Sequence, residues 1–260
     1  MLIEAASIKP SSTEPQSGIA SARRTPNGGM SAQGITVAPL FTTAYETERS
    51  RILGFPDWIN SARYDIETDP GKSATPQQRR LMLRSLLEDT FRVQTHRETR
   101  FVPVYVLTAA RSGIKLEPPN EAGCVKPDNM PSGPTPPLPD EPLIIPCGTP
   151  IVAIRSGVGR LAAGNIPMAD LIRVLSNMLG RVIIDKTQFT RMFDAHLTFA
   201  PDDALAGLPG SPRVDHPSAT PGGPVTIFTA MEEQLGLKLE SGTGPVEVVV
   251  IDHVERPSEN

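Results

Sequence analysis

Apolar residues along this 260-residue chain come in short groups, and the period of each group predicts an element. Ile3 to Lys9 reads as a short strand, and Ile35 to Ala38 as another. Pro39 suits the first turn of a helix carrying Leu40, Phe41, Ala44 and Tyr45 on one side. Trp58 falls in a turn, and a strand follows near Arg63 to Thr68. Thr75, Pro76 and Gln78 stand in the order of an N-cap, a first helical residue and a capping-box partner. Behind them Leu81, Met82, Leu86 and Leu87, with Phe91 at the exit, make a stripe at helical spacing. A hairpin is expected next. One arm alternates Phe91, Val93 and Thr95; the other carries Phe101, Val102, Val104, Val106 and Leu107.

A second patterned half follows residue 150. Asn165 is the expected N-cap of a helix whose core face is Met168, Leu171, Ile172, Leu175 and Leu179, with Gly180 at its end. "RVIIDKT" and "MFDAHLTF" read as strands, and "VTIFTAMEEQLG" as a helix stopping at Gly236. "LKLES" and "VEVVVIDHV" read as a closing hairpin. In that last run Val246, Val248, Val249, Val250 and Ile251 look buried on both faces, against Met231 and Leu235 of the preceding helix.

The halves share one order: helix, strand, strand, helix, hairpin. "RYDIETD" answers "MFDAHLTF" at an aromatic followed by Asp65 or Asp194. "LMLRSLLEDTFRV" answers "TIFTAMEEQLGLKL", with one insertion near Gly236. The expectation is an α+β fold of two repeated units, each a small mixed sheet with two helices. The first unit covers 1–117, a proline-rich connection 118–150, and the second unit 151–260.

Composition narrows the function. A formal charge of -4 argues against a nucleic-acid binder, which needs a basic face. No apolar run of about 18 residues exists, so no membrane span is expected. The opening MLIEAASIKP has no signal-peptide hydrophobic core. The chain has 28 prolines, most of the surplus over ordinary usage lies in 118–150, and both cysteines, Cys124 and Cys147, lie in that stretch. Cysteines flanking one long loop point to a disulfide and an oxidising compartment. They make a poor zinc site, since no histidine pair lies near them. His96, His196 and His216 lack metalloprotease spacing, so neither a metal nor a cofactor is expected.

Asp252, His253 and Glu255 are the strongest acid–base group. In a strand His253 and Glu255 share a face and Asp252 points away. No nucleophile motif accompanies them, so a solvated strand end with ion pairs is the better reading, and no catalytic residue is assigned. The lone Trp58, with Tyr64 nearby, is the candidate ligand platform against the alternative of a core plug. "GVGRLAAG" lacks the lysine of a phosphate loop.

Four stretches carry a family resemblance: "ASIKPS", "LRSLLEDTFRVQTHRETRFVPVYVLTAARSGIKLEP", "GRVIIDKT" and the terminal "EQLGLKLESGTGPVEVVVIDHVERPSEN". They are similar to the soil-associated protein family abundant in acidobacteria. "DKTQFT" departs from it, where the family tends to have glycine in the turn. The resemblance implies export to the periplasm or beyond, and it supplies no established activity and no catalytic residues. The helix–strand units also look distantly like the short N-terminal domain of secretins and TonB-dependent receptors, which binds envelope proteins. The expected function is thus a non-catalytic envelope interaction module with a protein partner. The alternative is a hydrolase, or a small-molecule or glycan sensor, with a site between the two repeats.

Overall fold

The computed structural model describes residues 5–11, 21–24, 30–69, 75–120, 123–126, 144–155, 157–201 and 225–257. The expected 204–224 loop, His216 and most of the proline-rich connection lie outside these residues. Contacts divide the chain into two units. The first takes Met1–Phe101 with Pro245–Asn260, and the second Val102–Gly244.

In the first unit β1 (Ala5–Pro10), β2 (Ser21–Arg24), β3 (Met30–Thr36) and β5 (Arg63–Asp69) form an antiparallel sheet ordered β1-β5-β3-β2. Gly34, at φ 62°, sits where the β3 register shifts against β5. Its left-handed backbone makes the bulge, which suits glycine. Helix α1 (Ala38–Ala44) follows with Pro39 in its first turn, burying Leu40, Phe41 and Ala44. After β4 (Ile52–Leu53) and the single turn α2 (Trp58–Ser61) comes the longest helix, α3 (Pro76–Phe91). Thr75 and Gln78 close the capping box with bonds of 2.8 and 3.2 Å. The buried face of α3 is Leu83, Leu86, Leu87 and Phe91. Leu81, expected in the core, is 59 % exposed, and Leu83 takes the inward position one turn before Leu87.

The second unit holds β7 (Ile151–Arg155), β8 (Val158–Ile166) and β10 (Phe193–Phe199) as an antiparallel sheet ordered β10-β8-β7. Helix α4 (Met168–Leu179) buries Met168, Leu171, Ile172 and Leu175, and Gly180 ends it at φ 62°. Its N-cap is Pro167, not Asn165. Asn165 is instead the left-handed residue (φ 53°) at the end of β8. Strand β9 (Ile183–Asp185) lies between α4 and β10, and α5 (Ile227–Ala230) continues as a π turn over Met231–Leu235.

Two long strands replace the expected hairpins. β6 covers Gln94–Ala109 and β11 covers Leu237–His253 without a break. A tight hairpin turn needs positive φ at a central residue, and neither Gly242 nor Gly244 has it. The missing side chain of Gly244 serves contact instead: a Cβ there would meet Ile184 Cδ1 at 2.8 Å. β4 runs parallel to β11 at Ile52↔Val249, and β9 runs parallel to β6 at Ile183↔Tyr105. The sheet order is β4-β11-β6-β9.

The cores follow the units. Leu87, Phe91, Ile66, Ile59, Val249 and Ile251 belong to one cluster. Leu171, Phe193, Phe199, Met231, Leu235 and Leu237 belong to the other. The expected packing of the last strand on Met231 and Leu235 is therefore wrong for Val249 and Ile251, which pack with Leu87 and Phe91. Val250 is half-buried rather than buried.

Candidate functional site

The acid–base residues of β11 are split between two partners. His96 Nδ1, on β6, lies 2.9 Å from both Asp252 carboxylate oxygens. His253 Nε2 instead pairs with Glu255 at 2.8 Å. Glu98 stands 3.8 Å from His96 Nε2 and accepts from Arg100 Nε. Arg97 bonds Glu247 at 2.6 Å. These side chains are from one third to about 60 % exposed, and since consecutive residues point to opposite faces, both faces of these strand ends meet solvent. The hydrogen bond to Asp252 raises the His96 pKa above its ordinary value, with Glu98 adding to the effect. This arrangement can exchange protons with water and couple two strands, and each base is held by a carboxylate.

Trp58 and Tyr64 meet on one ring. Trp58 stacks on Phe91 at 6.4 Å, and Tyr64 approaches Phe91 edge-on at 5.3 Å. Tyr64 is 4 % exposed, and burial pushes its phenol pKa up. Trp58 is half-buried, with the Arg256 guanidinium 5.6 Å from its ring centre.

Asp194 is the one buried carboxylate among the described residues, at 6 % exposure. One of its oxygens accepts from Asn165 N at 2.7 Å and the other from Asn120 N at 2.8 Å. Asp65 accepts from Gly34 N at 2.8 Å in the same manner. Both aspartates thus hold the N–H of a left-handed residue on the neighbouring strand. The aromatic–Asp pattern marked both residues in the sequence but did not reveal this task. Near Asp194 the chain is clamped by a disulfide between Cys124 and Cys147, whose Cα atoms are 5.0 Å apart. Gly164 lies beneath it, where a Cβ would meet Cys124 Cβ at 2.5 Å.

The second unit also has an open cleft of about 450 Å³. The π turn supplies Glu232 and Glu233, α5 supplies Phe228 and Thr229, and the start of β11 supplies Lys238 and Leu239. Ser112 and Lys115 close the remaining side. Lys115 Nζ donates to the Glu233 carbonyl at 2.7 Å, and Lys238 Nζ to Glu240 at 2.8 Å. The cleft is balanced in charge and has an aromatic wall. The sequence reading missed it, because its residues come from three separated stretches. Among the described residues no group of three or more His, Cys, Asp or Glu side chains is arranged to hold a metal ion.

A family model described as "Protein of unknown function (DUF3738)" matches residues 38–254. The chain belongs to this family. No curated protein and no solved structure matches it. The DUF3738 match starts at α1 and ends just beyond β11, so it includes the disulfide, the cleft and both long strands. Strands β1 to β3 precede it. Among the described residues of this DUF3738 protein no helix is long and apolar enough to cross a membrane.

Proposed function

We propose that this protein is an exported, non-catalytic binding module of the cell envelope, built from two copies of one α+β unit. The observation that carries the reading is the state of its sheet edges. β7 lies at the edge of its sheet with half-buried Ile151, Val152 and Ile154, and no backbone partner on its outer side among the described residues. The opposite edge, β10, is closed. Asp194 N donates to Glu117 O, Ala200 N to Val225 O, and the Gln234 amide bonds both N and O of Thr198. An edge without a partner among the described residues, opposite one sealed at three points, suits strand-mediated recognition. Asp194, by contrast, is committed to holding backbone, and His96 and His253 to a carboxylate each.

Duplication is supported by parallel details. Arg92 N bonds the Leu87 carbonyl and Gly236 N bonds the Met231 carbonyl, each across five residues. Both capping residues are left-handed. Leu87, Phe91 and Val93 are spaced like Met231, Leu235 and Leu237, all buried, and no insertion is needed. Residues 1–117 and 151–260 are then the copies, joined by 118–150. The last strand of each copy begins in its own unit and ends in the other.

Export is supported by the disulfide, which persists in oxidising compartments. The likeness to the acidobacterial soil-associated family agrees with a periplasmic or secreted home in such bacteria. The likeness to the short domain of secretins and TonB-dependent receptors adds a fold-level analogy for an envelope protein partner. The test is affinity capture from an envelope extract with the purified chain. A partner retained through washing and competed by free chain is expected. No retained partner across several detergents and salts would count against the reading.

The cleft beside the π turn favours a second reading, a small-molecule sensor. A thermal-shift screen checks it, and a stabilising compound should lose its effect in Phe228→Ala.

A further inference from the structure

The N-terminal strand β1 is a weakly anchored occupant of the β5 edge. It pairs with β5 over six positions, from Ala5↔Asp69 to Pro10↔Tyr64. Yet Ser7, Lys9 and Pro10 are exposed, and Ile8 is only half-buried against the core. The backbone ladder therefore supplies most of what holds it. β1 and β2 lie at opposite edges of the sheet, joined through residues 11–20, so β1 can leave without disturbing β2, β3 or β5. The matching edge in the second unit, β10, is closed by carbonyls and the Gln234 amide rather than by a strand.

The chemistry of the β5 edge names a better occupant than β1. Asp65 and Glu67 alternate with Ile66, so two carboxylates share one face and the isoleucine takes the other. In register they stand opposite Lys9, Ser7 and Ile8. Only one of the two acidic positions faces a cation. We propose that the β5 edge is a strand-acceptor site, which exchanges β1 for an extended basic–aliphatic–basic segment of another polypeptide. The incoming bases pair with Asp65 and Glu67, and the aliphatic residue replaces Ile8 over Ile66. This rests on the binding-module reading and gives it a partner class.

The test uses a fluorescein-labelled Ala-Ala-Arg-Ile-Arg-Thr peptide, with Glu in place of both Arg as the control, read by anisotropy. The chain lacking residues 1–11 is expected to bind it about tenfold more tightly than the parent. The oxidised double variant Ala5→Cys with Asp69→Cys, which staples β1 to β5, should not bind. The single-cysteine variants should bind like the parent. If the shortened chain does not fold, Ile8→Asn in the full chain replaces it and should likewise tighten binding. Equal binding by stapled and parent chains, or by both peptides, overturns the proposal. So does a dimer in light scattering that the staple abolishes, because the occupant is then β1 of a second copy. An envelope partner captured equally by stapled and parent chains keeps the module reading and removes this site.

Discussion

The two units close their helices with one backbone device and different residues. Arg92 ends α3 at φ 53°, and Gly236 ends the π turn at φ 64°. Arg92 is exposed, so its side chain has room. At Gly236 a Cβ would run into the Gly113 carbonyl oxygen. The neighbourhood of the turn, more than its φ, decides whether glycine is required. The aspartates repeat the lesson. Asp65 holds one N–H at a half-buried site, whereas Asp194 holds two and is buried.

The strongest test of this pairing is truncation after Gly244. Pro245–Asn260 belongs to the first unit, so its loss should unfold that unit and leave the second largely native. Val249 and Ile251, at about 1.5–3 kcal/mol each, are a large share of the stability of a small unit. Trp58, the only tryptophan, lies in the first unit and reports directly. Its emission should shift red on truncation. A native Trp58 spectrum with a melted second unit would show that the terminal strand serves the second core instead.

Next come the helix ends. Gly236→Ala is expected to cost about 3 kcal/mol or more, because it combines left-handed strain with a clash against backbone. The bonds from Lys115 N to Leu235 O and from Ala110 N to Gly236 O are at risk with it. Arg92→Gly should stay within about 0.5 kcal/mol of the parent, since relieved strain offsets a more flexible unfolded chain. Denaturant melts of both variants check the contrast, and equal losses would break it.

The aspartates are expected to differ less. Asp194→Ala removes the acceptor of two part-buried N–H groups, at Asn120 and Asn165, and should cost about 2 kcal/mol. Asp65→Ala frees one N–H at a half-buried site and should cost about 1 kcal/mol. Hydrogen exchange at Asn120, Asn165 and Gly34 reads each site separately. Faster exchange at Gly34 than at Asn165 in the two variants respectively would reverse the ranking.

Local signals in the sequence were legible where one stretch determines the outcome. The Thr75–Gln78 capping box, the core face of α4 and the stop at Gly180 all formed as their residues indicate. The hairpins were not legible. "SGTG" carries turn residues, but the strand runs through them, and at Gly244 the Ile184 side chain comes close enough to crowd a Cβ. Asn165 misled for a similar reason. Asparagine serves as an N-cap or as a left-handed residue, and the bond its N–H donates to Asp194, 29 residues away, goes with the second. The cleft was hidden because no single stretch contains it. Trp58 was visible as a lone aromatic, yet its stacking on Phe91 depends on where α3 ends.

The smallest expected difference concerns the polar ends of the two long strands. On β6, His96 reaches across to Asp252; on β11, Lys238 pairs along its own strand with Glu240. In each case the hydrogen bond to the carboxylate raises the pKa of the cation. A raised pKa means the folded state holds its proton more tightly than the unfolded chain. The His96 contribution is therefore complete below about pH 6.5 and is lost as pH rises through the higher folded value. The Lys238 contribution stays complete until about pH 10.5 and is lost only above it. Both groups are solvated, so the effect on melting is slight and NMR titration is the sensitive probe. Asp252→Asn should return His96 towards its ordinary value while leaving Lys238 unchanged, and Glu240→Gln should do the reverse. A His96 titration unmoved by Asp252→Asn would show that the cross-strand bond does not hold in solution, and the two strand ends would then differ only in sequence.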